Sequence, residues 1–175
     1  MFYAHGVHGV GVDAVVARAG VAKASLYAHF AGKDDLIRAV LEAADERDLA
    51  RYRAGMEAAG SDPLARIDAL FAGLDAVSGM PGFRGCAFVN AGLALPDRDH
   101  PAHAVVRRHK ARLRDLLLEQ LVDLPPDRGS RVADGLLLLV DAALVAGALR
   151  PDEHPALRAR ELARLLVTSA GVGGK

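Results

Sequence analysis

The sequence predicts an all-α protein, with a helix-turn-helix region first and a larger helical region after it. Three observations carry this expectation. Apolar residues recur at three- and four-residue spacing through most of the chain. Aromatics make up only 5% of residues, so the interior must come from Ala, Leu and Val, which suit packed helices. No alternating pattern of the strand type stands out, and no repeat of 20–50 residues is apparent.

The elements follow in order. Phe2-Tyr3-Ala4 reads as the last turn of a helix. Gly6, Gly9 and Gly11 then make a loop. Their spacing is wrong for a dinucleotide-binding fingerprint, and no strand precedes them. Val12, Val15, Val16 and Ala19 fall at helical spacing, and Gly20 ends that short helix as a C-cap glycine would. After a tight turn at Gly20-Val21 comes a second short helix, within the stretch GVAKASLYAHF. Tyr27 and Phe30 are three apart and share one side, and Leu26 shares part of it. Lys23, Ser25 and His29 fall elsewhere, and no acid lies between Val21 and Ala31. A helix with one buried side and one polar, acid-free side is what a DNA major groove accepts. The layout is that of a helix-turn-helix.

Gly32 closes the second helix and Lys33-Asp34-Asp35 opens a long third one, with Leu36, Ile37, Val40 and Leu41 as its stripe. The two aspartates lie in a first helical turn, where carboxylates complement the helix dipole, and this explains them better than paired catalysis. Ser61-Asp62-Pro63 starts the next helix, with Leu64, Ile67, Leu70, Phe71, Leu74 and Val77 on one side. Gly79 to Gly82 break it. Phe83 to Leu95 reads as helix. Pro96 to Pro101 is a loop in which Asp99 can cap the following helix. From Ala104 to Leu124 an apolar side carries Val105, Val106, His109, Leu113, Leu116, Leu117 and Leu121, against a basic side of Arg107, Arg108, Lys110, Arg112 and Arg114. The next helix runs from about Asp127 to Leu149. Its second half is apolar all round, which calls for burial on every side and suggests a subunit interface. The last helix runs from about Pro155 to Ala170, with Leu157, Leu162, Leu165 and Leu166, and Gly171 to Lys175 is a loose tail.

Bulk properties exclude several classes. Lys plus Arg and Asp plus Glu are each 22, so no global field draws the chain to nucleic acid or membrane, and any DNA contact must be local. The longest apolar run, Gly135 to Leu149, is interrupted by Asp141 and shorter than the roughly 20 residues of a membrane span. The single cysteine, Cys86, cannot form an internal disulfide and suits a reducing cytoplasm. His100 and His103 beside Asp97 and Asp99 have the makings of a metal site, but their loop position favours capping, and no metal or cofactor is expected. No nucleophile–base pair stands out, so an enzyme is not expected.

Taken whole, Gly6 to Leu41 strongly resembles the DNA-binding region of the TetR family of bacterial transcriptional repressors. The residues that carry the resemblance are Gly6, Val15, Ala17, Ala19-Gly20-Val21, Lys23, Leu26-Tyr27, His29-Phe30, Lys33 and Leu36. The later helices fit the family's effector-binding and dimerisation domain in number and order. The resemblance implies residues 1–45 as the DNA-binding domain and 46–175 as the effector and dimerisation domain. It implies a cytoplasmic homodimer, paired through the last two helices, on a double-stranded palindromic operator. Lys23 would meet phosphate or a base edge, Ala24 and Ser25 would face the groove, and Tyr27, His29 and Lys33 would hold the DNA backbone. Phe83, Phe88, Asn90, His109 and Asp141 are candidate effector-lining residues. A small-molecule effector would release the DNA. A dimeric helical ligand-binding module without working DNA recognition is the alternative.

Three departures from the family pattern matter. Ala22 stands where Ser or Thr usually opens the recognition helix, and a lost hydroxyl cap costs roughly 0.5–2 kcal/mol. Ala24 stands where glycine is frequent. The first helix is reduced to Phe2 and Tyr3, so the faces carrying Val15, Val16 and Leu26 should lose cover and DNA affinity should fall.

Overall fold

The computed structural model describes residues 1–172, and the last three positions of the expected tail lie outside them. The described residues form nine α-helices and no strand. In order these are α1 (Phe2–His5), α2 (Val12–Ala19), α3 (Lys23–His29), α4 (Lys33–Ala58), α5 (Pro63–Ser78), α6 (Ala87–Ala94), α7 (Pro101–Leu118), α8 (Pro126–Leu149) and α9 (Pro155–Ser169). A 3-10 turn, Glu119–Leu121, follows α7, and another, Pro151–Glu153, follows α8. The chain divides into two compact units. One contains residues 1–46 and 87–109, the other residues 47–86 and the described residues from 110 on.

In the first unit α2 and α3 close on a small core. Val16, Leu26 and Leu36 are buried together, with Phe2, Val12, Val15 and Phe30 packed against them. The expected loss of cover over Val16 and Leu26 is therefore corrected. Although α1 has only four residues, the Phe2 ring caps the cluster from one side and Phe30 packs on it as well. Val40, expected in the α4 stripe, is exposed, while Ile37, Leu41 and Ala44 are buried.

In the second unit α5, α8 and α9 pack on one another. Asp62 caps α5 as its position before Pro63 suggests, accepting the Ala65 N–H at 2.9 Å. The α5 stripe is buried at Ile67, Leu70, Phe71 and Leu74. On α9 the expected leucine stripe is divided, with Leu157 and Leu166 half-buried. Ala156, Ala159, Ala163 and Val167 face inward, while Leu162 and Leu165 are exposed. Small side chains let helix axes approach closely. A Cβ on Gly135 of α8 would stand 2.7 Å from Leu166 Cδ2, and one on Gly147 would stand 2.6 Å from Ser78 Oγ. The second half of α8 is likewise not buried on every side: Leu138, Val145 and Leu149 are exposed within the chain. The 24 residues of α8 are long and apolar enough by themselves to cross a membrane, so the short length of the run Gly135 to Leu149 does not decide against it. Its other side is buried at Val132, Ala133, Leu136, Val140, Ala143 and Leu144.

Two local expectations fail. Phe83 to Cys86 is not helical, and Gly85 adopts φ +80, with a Cβ there only 3.2 Å from the Leu144 carbonyl oxygen. The cap on α7 comes from His100, whose Nδ1 accepts the Ala102 N–H at 3.1 Å, and not from Asp99.

Candidate nucleic-acid interface

The helix-turn-helix rests on one backbone feature. Gly20 sits at φ 68, ψ 28, the left-handed region where a Cβ is strained, and its N–H bonds back to Ala17 and Val16 carbonyls. The Val21 N–H reaches the Val16 carbonyl at 3.2 Å, so the chain reverses within two residues and enters α3. Leu26, 6% exposed, locks one side of α3 into the small core.

What remains of α3 is surface. Lys23, Ala24, Ser25, Tyr27 and His29 are all exposed, and Lys33 is half-buried at the first residue of α4. Tyr27 is 50% exposed, which corrects the expectation that it packs with Phe30 and Leu26. The start of α4 is tied by side-chain bonds: the Ala31 N–H donates to Asp35 Oδ2 at 3.2 Å, and Arg38 hydrogen-bonds Asp35 Oδ1. The Arg38 guanidinium and the Ala31 amide hold the Asp35 carboxyl below the usual carboxylate range. Asp35 is a helix-start residue, as its position suggests.

The acid-free description of α3 needs one amendment. Asp13 of α2 places Oδ1 2.7 Å from Lys23 Nζ. That hydrogen bond, with the carboxylate's charge, raises the Lys23 ammonium above its ordinary pKa. Scanning the α3 segment alone could not reveal it, because the partner lies ten residues upstream across the turn.

The basic side of α7 is largely engaged by acids. Arg108 approaches Glu42 and Asp45, both at 3.7 Å, Lys110 pairs with Asp141, and Arg114 pairs with Asp134.

The five effector candidates separate. Phe88 and His109 come together in the first unit, their rings stacked with centroids 3.6 Å apart. His109 Nδ1 lies 2.8 Å from Asp45 Oδ1, and both residues are buried. Asp45 was missed in the sequence, though a signal exists: it falls in the four-residue series Ile37, Leu41, Asp45, Leu49 that otherwise lines the buried side of α4. Asn90 is exposed on α6. In the second unit Phe83 is half-buried beside Gly147, and Asp141 pairs with Lys110, whose Nζ lies 3.7 Å from the buried Cys86 Sγ. His100 and His103 each use a ring nitrogen on the backbone, at the Ala102 N–H and the Leu95 carbonyl. Among the described residues no group of three or more His, Cys, Asp or Glu could hold a metal ion.

Comparison with known proteins agrees with this geometry. Residues 1–40 match the family model for bacterial regulatory proteins of the tetR family. No curated protein matches the chain. Among solved structures, a TetR-family transcriptional regulator from Streptomyces coelicolor is 35% identical with a TM-score of 0.83, covering 97% of this chain and 89% of its own. A protein assigned as a TetR transcriptional regulator from Streptomyces avermitilis is 28% identical with a TM-score of 0.83, covering 98% and 92%. A protein assigned as a transcriptional regulator from Pseudomonas aeruginosa shares the fold, at 20% identity and a TM-score of 0.74, covering 96% and 83%. With a relative this similar over nearly the whole length, and the helix-turn-helix in place, the chain belongs to the TetR family of transcriptional regulators.

Proposed function

We propose that the protein is a cytoplasmic, ligand-responsive repressor that sits as a homodimer on a palindromic operator and leaves it when a small molecule binds. The observation that carries the DNA reading is the outward face of α3, where Lys23, Ala24, Ser25, Tyr27 and His29 stand clear while Leu26 holds the opposite side. On this reading Lys23 meets phosphate or a base edge, Ala24 and Ser25 face the groove, and Tyr27, His29 and Lys33 hold the DNA backbone. Residues 1–45 read DNA, and 46–175 carry the effector and dimer contacts.

The dimer reading is supported by the outer faces of α8 and α9. Leu138, Ala142, Val145 and Leu149 recur at one helical face, with Leu138 71% and Leu149 74% exposed, and Leu165 of α9 is 65% exposed. A row of large apolar side chains left in water marks a partner surface. A homodimer carries two copies of α3, and on a palindromic operator the two half-sites lie about 34 Å apart on one face of the duplex. An effector that binds better to the conformation with wrongly spaced α3 helices would shift the population away from DNA. Phe88, Asn90 and His109 in the first unit, and Phe83 and Asp141 in the second, are the residues proposed to sense it.

The test is a selection from random duplex DNA at stated salt. An enriched palindrome supports the reading, and Lys23→Ala should then weaken binding to it. If no sequence is enriched, the DNA-recognition reading falls, and a dimeric ligand-binding module is left.

A further inference from the structure

We infer that Asp13 sharpens the sequence selectivity of α3 by making Lys23 act as a hydrogen-bond donor more than as a free charge. This rests on the reading of α3 as the helix that meets DNA. Asp13 is the sole acid in the first 33 residues, against the cations Arg18, Lys23 and Lys33. The turn at Gly20 brings it 2.7 Å from the lysine that opens α3. The two side chains are 81% and 53% exposed, so the pair stands in water on the same surface as the α3 residues.

The chemistry of the ammonium gives the consequence. Lys Nζ carries three N–H donors. Asp13 engages one, and two remain for acceptors such as the N7 and O6 of a guanine. A phosphate attracts Lys23 chiefly through charge. Beside a carboxylate the ammonium offers a phosphate little net charge, and Asp13 itself repels that phosphate. The pair therefore discounts backbone contacts, which carry no sequence information, more than base contacts, which do. Freed from Asp13, Lys23 would neutralise whatever phosphate it reached.

Asp13→Asn keeps the shape and removes the charge. Affinities of the full chain would be measured for a random-sequence duplex and for the selected palindrome, across salt from about 50 to 200 mM. The expected result is tighter binding to random DNA, with a salt slope steeper by about 0.9. Operator binding gains less, so the operator-to-random affinity ratio falls about three- to fivefold, the size of an exposed ion pair. Because Asp13 acts through Lys23, the same substitution in a Lys23→Ala background leaves the ratio unchanged. A steeper slope with an unaltered ratio would make Asp13 a repelling charge only and overturn the inference. An equal fall of the ratio without Lys23 would also overturn it. Unchanged helical circular dichroism of the three variants confirms that the readout concerns binding rather than folding. Should the unaltered chain bind neither duplex, the DNA reading fails and this inference with it; if it binds both and only the ratio is unmoved, the role of Asp13 alone is lost.

Discussion

Ala22→Ser should stiffen the recognition helix. Ala22 precedes α3 at φ −69, ψ 146, the extended conformation that an N-cap residue adopts, yet its methyl group accepts nothing. The helix is only seven residues long, so its unpaired first-turn amides are a large share of its backbone. The Ser25 N–H already reaches the Ala22 carbonyl at 3.0 Å, which shows that the turn is formed and only the side-chain acceptor is missing. A serine hydroxyl there accepts from the second or third amide of the helix, and such caps contribute about 1 kcal/mol. Ala22 is exposed, so the added oxygen disturbs no core. For a chain of this size ~1 kcal/mol corresponds to roughly 2–4 °C in Tm. The assay is urea unfolding, where the midpoint should rise at unchanged m. Hydrogen exchange of the α3 amides should slow about fivefold if the gain is local to that helix. An unchanged midpoint with unchanged exchange would refute the reasoning and mean that water satisfies those amides as well as a hydroxyl does.

Other outcomes follow from the packing and the titrating groups. Leu138→Glu combined with Leu165→Glu should give a monomer by sedimentation with helicity retained, and a persistent dimer would place the interface elsewhere. Gly147→Ala sets a Cβ 2.6 Å from Ser78 Oγ, which is itself committed to the Leu74 carbonyl at 2.8 Å, and should lower stability by about 1–3 kcal/mol in urea unfolding. Burial, and then the charge of Asp48, push the Tyr52 phenol up to about 12. The folded state thus favours the neutral phenol, so its stabilisation is complete below pH 10 and is lost as pH rises from 10 to 12. Tyr52→Phe should remove that alkaline loss, read as the difference in unfolding free energy between pH 9 and about pH 11.5.

Local chemistry made the helix-turn-helix legible. A glycine after an eight-residue apolar period, then a helix with no acids, are features a few residues can announce, and Gly20 adopts the left-handed conformation they require. Asp62-Pro63 announced a helix start for the same reason. What escaped was decided by partners distant in sequence. Gly85 turns at positive φ where it meets the Leu144 carbonyl, 59 residues away in the chain, so Phe83 to Cys86 could not be read as non-helical from composition. On α9 hydrophobicity points to the leucines as the buried stripe, whereas close helix approach favours small side chains, and it is the alanines that face inward. Asp45 was hidden in an acidic stretch, ADERD, where only its neighbours' burial distinguishes it from solvated acids. Lys23 and Asp13 lie on different helices, and only the turn makes them adjacent.

The inward alanines of α9 separate two properties that most amphipathic helices keep on one face. Enlarging Ala156, Ala159 or Ala163 acts on whether a single chain folds, whereas polarising Leu162 or Leu165, on the dimer proposed above, would act on whether two chains meet. If the leucine face is covered only by a second copy, abundance becomes a control variable. Dilution uncovers leucine surface, and apparent stability rises with concentration by mass action. A regulator built this way would lose activity below a threshold of expression, before any effector is present.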